Sequence, residues 1–132
     1  MPLLWSVNHA AKIVRIRLTE PVAFDDWFTT AERIARNTSI DRRYSILVDR
    51  SAMRSLSKDF AQQMALYFAR RQSLFAERRI AIIARPASIP SMASVQAVLN
   101  DHVGAQTRVF TTIDDAHAWL VECDDKLAPI PW

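Results

Sequence analysis

The apolar positions of this chain change period several times, and each change marks an element. From Lys12 to Leu18, Val14, Ile16 and Leu18 alternate with Arg15 and Arg17. A period of two is that of a strand with one face on the core and one polar face. Leu3 to Val7 is expected to pair with it as a hairpin across Asn8, His9, Ala10 and Ala11. Two arginines on the outward face would be costly to bury. That strand is therefore expected near an edge, with its outer face solvated or set against a second copy of the chain.

Beyond Pro21 the period lengthens. Phe24, Trp27, Phe28, Ala31, Ile34 and Ala35 follow helical spacing, with Asp25 and Asp26 in the first turn, where the helix dipole favours acids, and Asn37 as a stop. Tyr44 to Asp49 is a nearly continuous apolar run, the pattern of a strand covered on both faces. After a short loop, Ser57 can cap a helix with Asp59 just inside it, whose stripe is Phe60, Met64, Tyr67, Phe68, Arg71, Leu74 and Phe75. Arg79 to Ala84 is a further buried strand, ended by Arg85-Pro86. A helix from Pro90 or Ser91 carries Met92, Val95, Val98, Leu99 and His102, and Gly104 closes it. Thr107 to Thr111 is the last strand. Thr112 then caps a helix, with Asp115 as its capping-box-like partner and Ile113, Ala116 and Leu120 inward.

This order is strand-strand-helix followed by three strand-helix units. It predicts an α/β domain with a mixed, mostly parallel sheet of four to five strands and about four helices. The domain is expected to span 1–123. The remainder, 124–132, has two acids and then Pro129, Ile130, Pro131 and Trp132, and is expected to be an irregular tail. Either it frays, or Ile130 and Trp132 dock on the body.

Composition narrows the class. With 132 residues, 50% hydrophobic and 23% charged, the chain has material for one core of ordinary size. No apolar run approaches the ~20 residues that cross a bilayer, and Met1 to Ala11 lacks the features of a secretion signal. One cysteine, Cys123, allows no intrachain disulfide, so a reducing, cytoplasmic setting is expected. The net charge is +3, and its arginines fall in pairs (Arg42-Arg43, Arg70-Arg71, Arg78-Arg79) rather than runs. That is an ordinary solvated surface, and nucleic-acid binding is not expected. The single glycine, Gly104, excludes phosphate-cradling loops in their usual forms.

Candidate chemistry is sparse. Ser51, Ser55 and Ser57 share a loop, but the histidines (9, 102 and 117) lie in three other elements and no Gly-x-Ser-x-Gly is present. No catalytic residue is expected. His117 and Asp114 are one turn apart, yet zinc takes three or four ligands, so neither metal nor cofactor is expected. Asp49, at the end of a buried strand, is the most informative carboxylate. With Arg50, Arg54 and Asp59 it would form a polar patch at the following helix; alternatively it fixes its own loop by hydrogen bonding to the backbone. Of the four tryptophans, Trp27 is expected in the core. Trp119 lies one position off the inward stripe and, with the tail, is a candidate docking or self-association surface.

The strings "YSILVDRSAM" leading into "SKDFAQQM", "RRIAIIARP" and "TRVFTTIDDAHAWL" resemble the STAS fold, and within it the SpoIIAA-like group. These are bacterial relatives of the sporulation anti-sigma-factor antagonists. The resemblance covers roughly Ala10 to Glu122. It implies a non-enzymatic regulatory domain that recognises a protein partner through the strand ends and the loop from Ser51 to Lys58. The binding candidates are Asp49, Arg50, Ser51, Arg54, Ser57, Lys58 and Asp59. In the antagonists, a strand ending in Asp-Leu-Ser precedes an Asp-Ser-Ser-Gly that opens the next helix and carries the phosphorylated serine. Here the strand ends in Asp49-Arg50-Ser51 and the helix opens Ser57-Lys58-Asp59-Phe60, without Ser-Ser-Gly. The usual phospho-switch serine is therefore not expected. The topology is also similar to that of Sec14-like lipid carriers, so a small apolar ligand is the alternative.

Overall fold

The computed structural model describes residues 3–19, 22–41, 43–53 and 58–127. Five strands form one sheet in the order of the chain. β1 (Leu3–Asn8) and β2 (Ile13–Leu18) are the antiparallel hairpin, in register from Leu3 opposite Leu18 to Asn8 opposite Ile13. β3 (Ser45–Asp49), β4 (Arg79–Ile83) and β5 (Gln106–Phe110) add in parallel. The register aligns Arg17 with Asp49, Asp49 with Ile83, and Ile83 with Phe110. The carboxyl ends of four strands therefore stand level along one rim of the sheet.

Each crossover steps one strand in the same direction, so crossovers of one hand leave all their helices on one face. The packing has that form. α1 (Phe24–Arg36), α2 (Lys58–Arg70), the single turn α3 (Gln72–Phe75) and α4 (Ile89–Ala97) bury Ile34, Met64, Tyr67, Phe68, Phe75, Met92 and Val95 against Val14, Ile46, Ile80 and Ile82. α5 (Ile113–Leu127) covers the opposite face, with Ala116 and Leu120 on Ile13, Leu47, Ala81 and Ile83. β3 and β4 are covered on both sides, which is why their sequences are apolar almost throughout. Along β1 and β2, Leu4, Ser6, Arg15 and Arg17 are exposed, so the outer face of the hairpin is open to solvent.

The rings of the core pack on one another. Trp27 meets Phe60, Tyr67 and Phe68 edge-on at 6.2, 5.3 and 5.5 Å, and Phe75 meets Tyr67 and Phe68 at 5.9 and 5.1 Å. Edge-to-face contact at such spacing is the favoured geometry of aromatic pairs. Trp119 is half-buried; it lies 5.7 Å from Phe110, with the Arg108 guanidinium over both rings at 5.7 and 5.5 Å.

Several boundaries differ from the sequence expectation. The third crossover begins earlier, with a 3-10 turn at Pro86–Ser88, and α4 ends in a π-helical turn over Val98–Val103. Gly104 closes it in the left-handed region, at φ 81°. The long helix expected through Phe75 is broken at Arg71, whose N–H is shared between the Tyr67 and Phe68 carbonyls, both at 3.1 Å. α5 runs to Leu127, so 124–127 is helical where the sequence reading placed a tail. Pro129 constrains the residue before it, and nothing further back. Ile130 and Trp132 lie outside the described residues. At the outer edge of β5 side chains take up the Thr107 backbone: its N–H donates to Asn100 Oδ1 at 2.7 Å, and its carbonyl accepts from Asn100 Nδ2 and Gln96 Nε2 at 3.2 and 3.1 Å.

Candidate functional site

The rim formed by the strand ends brings together Asp49, Arg50 and Ser51 after β3 and Arg85 after β4. The sheet ladder runs one residue past each strand: Arg50 N–H donates to Ile83 O at 2.8 Å, and Ala84 N–H to Phe110 O at 2.9 Å. This extension holds the first loop residues as firmly as strand residues, so their side chains have fixed directions.

Asp49 points to the face covered by α5 and is buried. Its Oδ1 accepts from the Ser51 backbone N–H at 3.0 Å and from the Ser51 hydroxyl at 2.6 Å. Those are the bonds of a carboxylate that fixes its own turn. The Ser51 hydroxyl thus gives its proton to Asp49. No imidazole among the described residues bonds to it; His9 pairs with the Tyr44 hydroxyl at 2.7 Å, at the hairpin end of the sheet. Arg85 is exposed, and its Nε reaches back across the β3–β4 gap to the Ser51 carbonyl at 2.7 Å.

Arg50 points the other way, over the helical layer. The residue is only 7% exposed. Its Nη1 meets Met92 Sδ at 2.8 Å, in the first turn of α4, and its Nη2 meets Met53 Sδ at 3.6 Å. Met92 is fully buried, whereas Met53 is half-buried and bounds the guanidinium on its outer side. Burial in these surroundings pulls the Arg50 pKa below its ordinary value. Among the described residues no carboxylate stands within 4.0 Å of it.

The other expected site residues are placed less fully. Asp59 is exposed in the first turn of α2, a position suited to its charge. Lys58 opens α2, but its side chain lies outside the described residues, as do Arg54 and Ser57. His117 and Asp114, weighed from the sequence as half of a metal site and not expected to form one, are both exposed on α5.

Two buried polar centres were not anticipated. Arg78, 4% exposed, donates through Nη1 to the carbonyls of Asp41 and Tyr44 at 2.9 and 3.1 Å, and through Nη2 to Ile40 at 3.5 Å, tying down the α1–β3 loop. Glu32 is buried on α1 between two arginines: Arg71 Nε lies 2.9 Å from Oε1 and its Nη2 3.1 Å from Oε2, and Arg36 Nε lies 3.1 Å from Oε2. The Arg71 Nε contact is ionic, since its geometry is not that of a hydrogen bond to Oε1. The buried Tyr67 hydroxyl lies in the field of the same carboxylate. Its pKa is pushed well above the ordinary value, by burial first and by Glu32 second. An open groove of about 480 Å³ runs beside this cluster, lined by Phe28, Thr29, Glu32, Arg33, Arg36 and Asn37. The only signal in the sequence was the spacing of Glu32 and Arg36, four apart on one helix face, which permits their pairing but does not show that Glu32 is buried.

No family model, curated protein or solved structure matches the chain. Its α/β layout rests on its own geometry. Among the described residues no helix is long and apolar enough to cross a membrane.

Proposed function

We propose that this chain is a SpoIIAA-like regulatory module of the STAS type, without enzymatic activity, which recognises a protein partner through the carboxyl ends of β3 and β4. One observation carries the proposal. The level rim of four parallel strands presents a rigid polar loop, Asp49-Arg50-Ser51, in which Asp49 and Arg85 act on the Ser51 backbone. In open α/β sheets this rim is where ligands meet the fold. The polar groups there hold one another in place, as a preformed recognition surface requires. A carrier of small apolar ligands is the weaker alternative, since the Phe, Tyr and Trp rings that favoured it pack edge-on against each other.

The test is affinity capture from an extract of the source organism with the wild-type chain and with Arg85→Glu. Arg85 is exposed, so the substitution reverses a charge on the rim without touching the core. The proposal expects a protein retained by the wild type and lost by the variant. Equal retention by both, or a lipid found bound in a native mass spectrum, would move the function elsewhere.

A further inference from the structure

Arg78, Arg71 and Arg50 are satisfied in different ways. Arg78 gives its protons to three backbone carbonyls. Arg71, half-buried, forms an ion pair with Glu32. Arg50, a residue only 7% exposed, has neither arrangement among the described residues: its guanidinium touches two thioether sulfurs. A thioether is a weak, neutral acceptor and leaves the charge uncompensated. Taking a cation out of water costs several kcal/mol unless an anion meets it. The β3 end is already held by the ladder bond from Arg50 N–H to Ile83 O and by the turn bond from Met53 N–H to Arg50 O, so the loop does not need a cation here.

We propose that Arg50 is the anchor of a carboxylate site, at which an Asp or Glu side chain or a chain terminus of the partner enters between the β3 end and the first turn of α4. This rests on the preceding reading that the rim binds a protein. The charge balance selects a carboxylate: one buried guanidinium carries one positive charge, and its planar fork matches a carboxylate with two parallel hydrogen bonds. The first turn of α4 adds the positive end of a nine-residue helix on the same side. Arg85, one strand over and exposed, adds a second positive charge on the same rim. Met53, the half-buried one of the two sulfurs, is the side chain that moves aside.

The probe is sodium acetate, titrated at constant ionic strength against sodium chloride, with inorganic phosphate in a parallel arm. Two readouts are taken on the full chain: the thermal midpoint, and the Nε–Hε resonance of Arg50. Acetate is expected to shift the Arg50 resonance saturably and to raise the midpoint. At ten times its Kd, the folding equilibrium constant rises about tenfold. Arg50→Met is expected to melt higher than the wild type in chloride, because it removes an uncompensated buried charge, and to lose the acetate effect. A stronger response to phosphate than to acetate would overturn the carboxylate assignment. An Arg50 resonance indifferent to acetate would overturn the site itself, and this readout needs no variant. Because acetate binding is measured without the partner, its failure is separable from that of the rim. Capture lost in Arg85→Glu but kept in Arg50→Met would leave the rim in place and remove the carboxylate pocket.

Discussion

Asp49 Oδ1 accepts two hydrogen bonds from a single residue, Ser51, from its N–H at 3.0 Å and its hydroxyl at 2.6 Å. The carboxylate is buried, and Ser51 in turn gives its carbonyl to Arg85 at 2.7 Å. The shape of the β3 exit loop therefore depends on Asp49. Asp49→Ala removes the acceptor and strands a backbone donor, and should cost about 1–3 kcal/mol in urea denaturation. Ser51→Ala removes only the hydroxyl and should cost about 1 kcal/mol or less. Asp49→Asn, whose amide oxygen can still accept, should fall between wild type and Asp49→Ala. Equal stability of all four would mean that the loop is held by something else.

Glu32 is the joint between α1 and the end of α2. Removing it in Glu32→Ala leaves two arginine side chains that still reach water, at 39% and 74% exposure. The cost is therefore below that of breaking a fully buried pair, about 1–2 kcal/mol. Denaturant midpoints of Glu32→Ala and Glu32→Gln check it, with Gln expected to retain part of the stability.

Tyr67 is expected to weaken the fold at alkaline pH. Its folded pKa lies above the ordinary value of 10.0, by burial first and by the neighbouring Glu32 second. Below pH 10 both states hold the proton and the group has no effect on the pH dependence. Above pH 10 the unfolded chain releases it and the folded chain does not, so stability falls by up to about 1.4 kcal/mol per pH unit. Tyr67→Phe should flatten that fall. Melting midpoints between pH 9 and pH 11 would show it, and parallel curves for wild type and variant would refute it.

The layout of the fold was legible because each element had a clear period. The alternation of Val14, Ile16 and Leu18 gave β2, and continuous apolar runs gave β3 and β4. Gly104 closes its helix in the left-handed region, and a Cβ placed there would meet nothing within 4 Å, so the backbone angle alone calls for glycine. The Thr112 cap also formed, with Asp115 N–H donating to its hydroxyl at 3.2 Å. What stayed hidden was polar burial. Phe28, counted on the inward stripe of α1, is 40% exposed, while Glu32, one turn on, is buried. Arg78, read as surface, is interior. Periodicity assigns faces by hydrophobicity and cannot register a charged group whose partners come from distant elements, as Arg71 and the Ile40–Tyr44 loop do here. The rim was foreseeable for the same topological reason that makes it general, since strand ends and the loops after them share one edge. That Arg50 turns inward toward Met92 could not be read from the chain.

The central claim is that the carboxyl ends of β3 and β4 are where this protein meets its partner. Hydrogen exchange of the backbone amides, measured on the free chain and on the complex with a captured partner, tests it most directly. Slowed exchange at Ser51 to Met53 and at Arg85 to Ser88 is the predicted result. Slowing confined to the β1–β2 hairpin or to α5, with these amides unchanged, would contradict it.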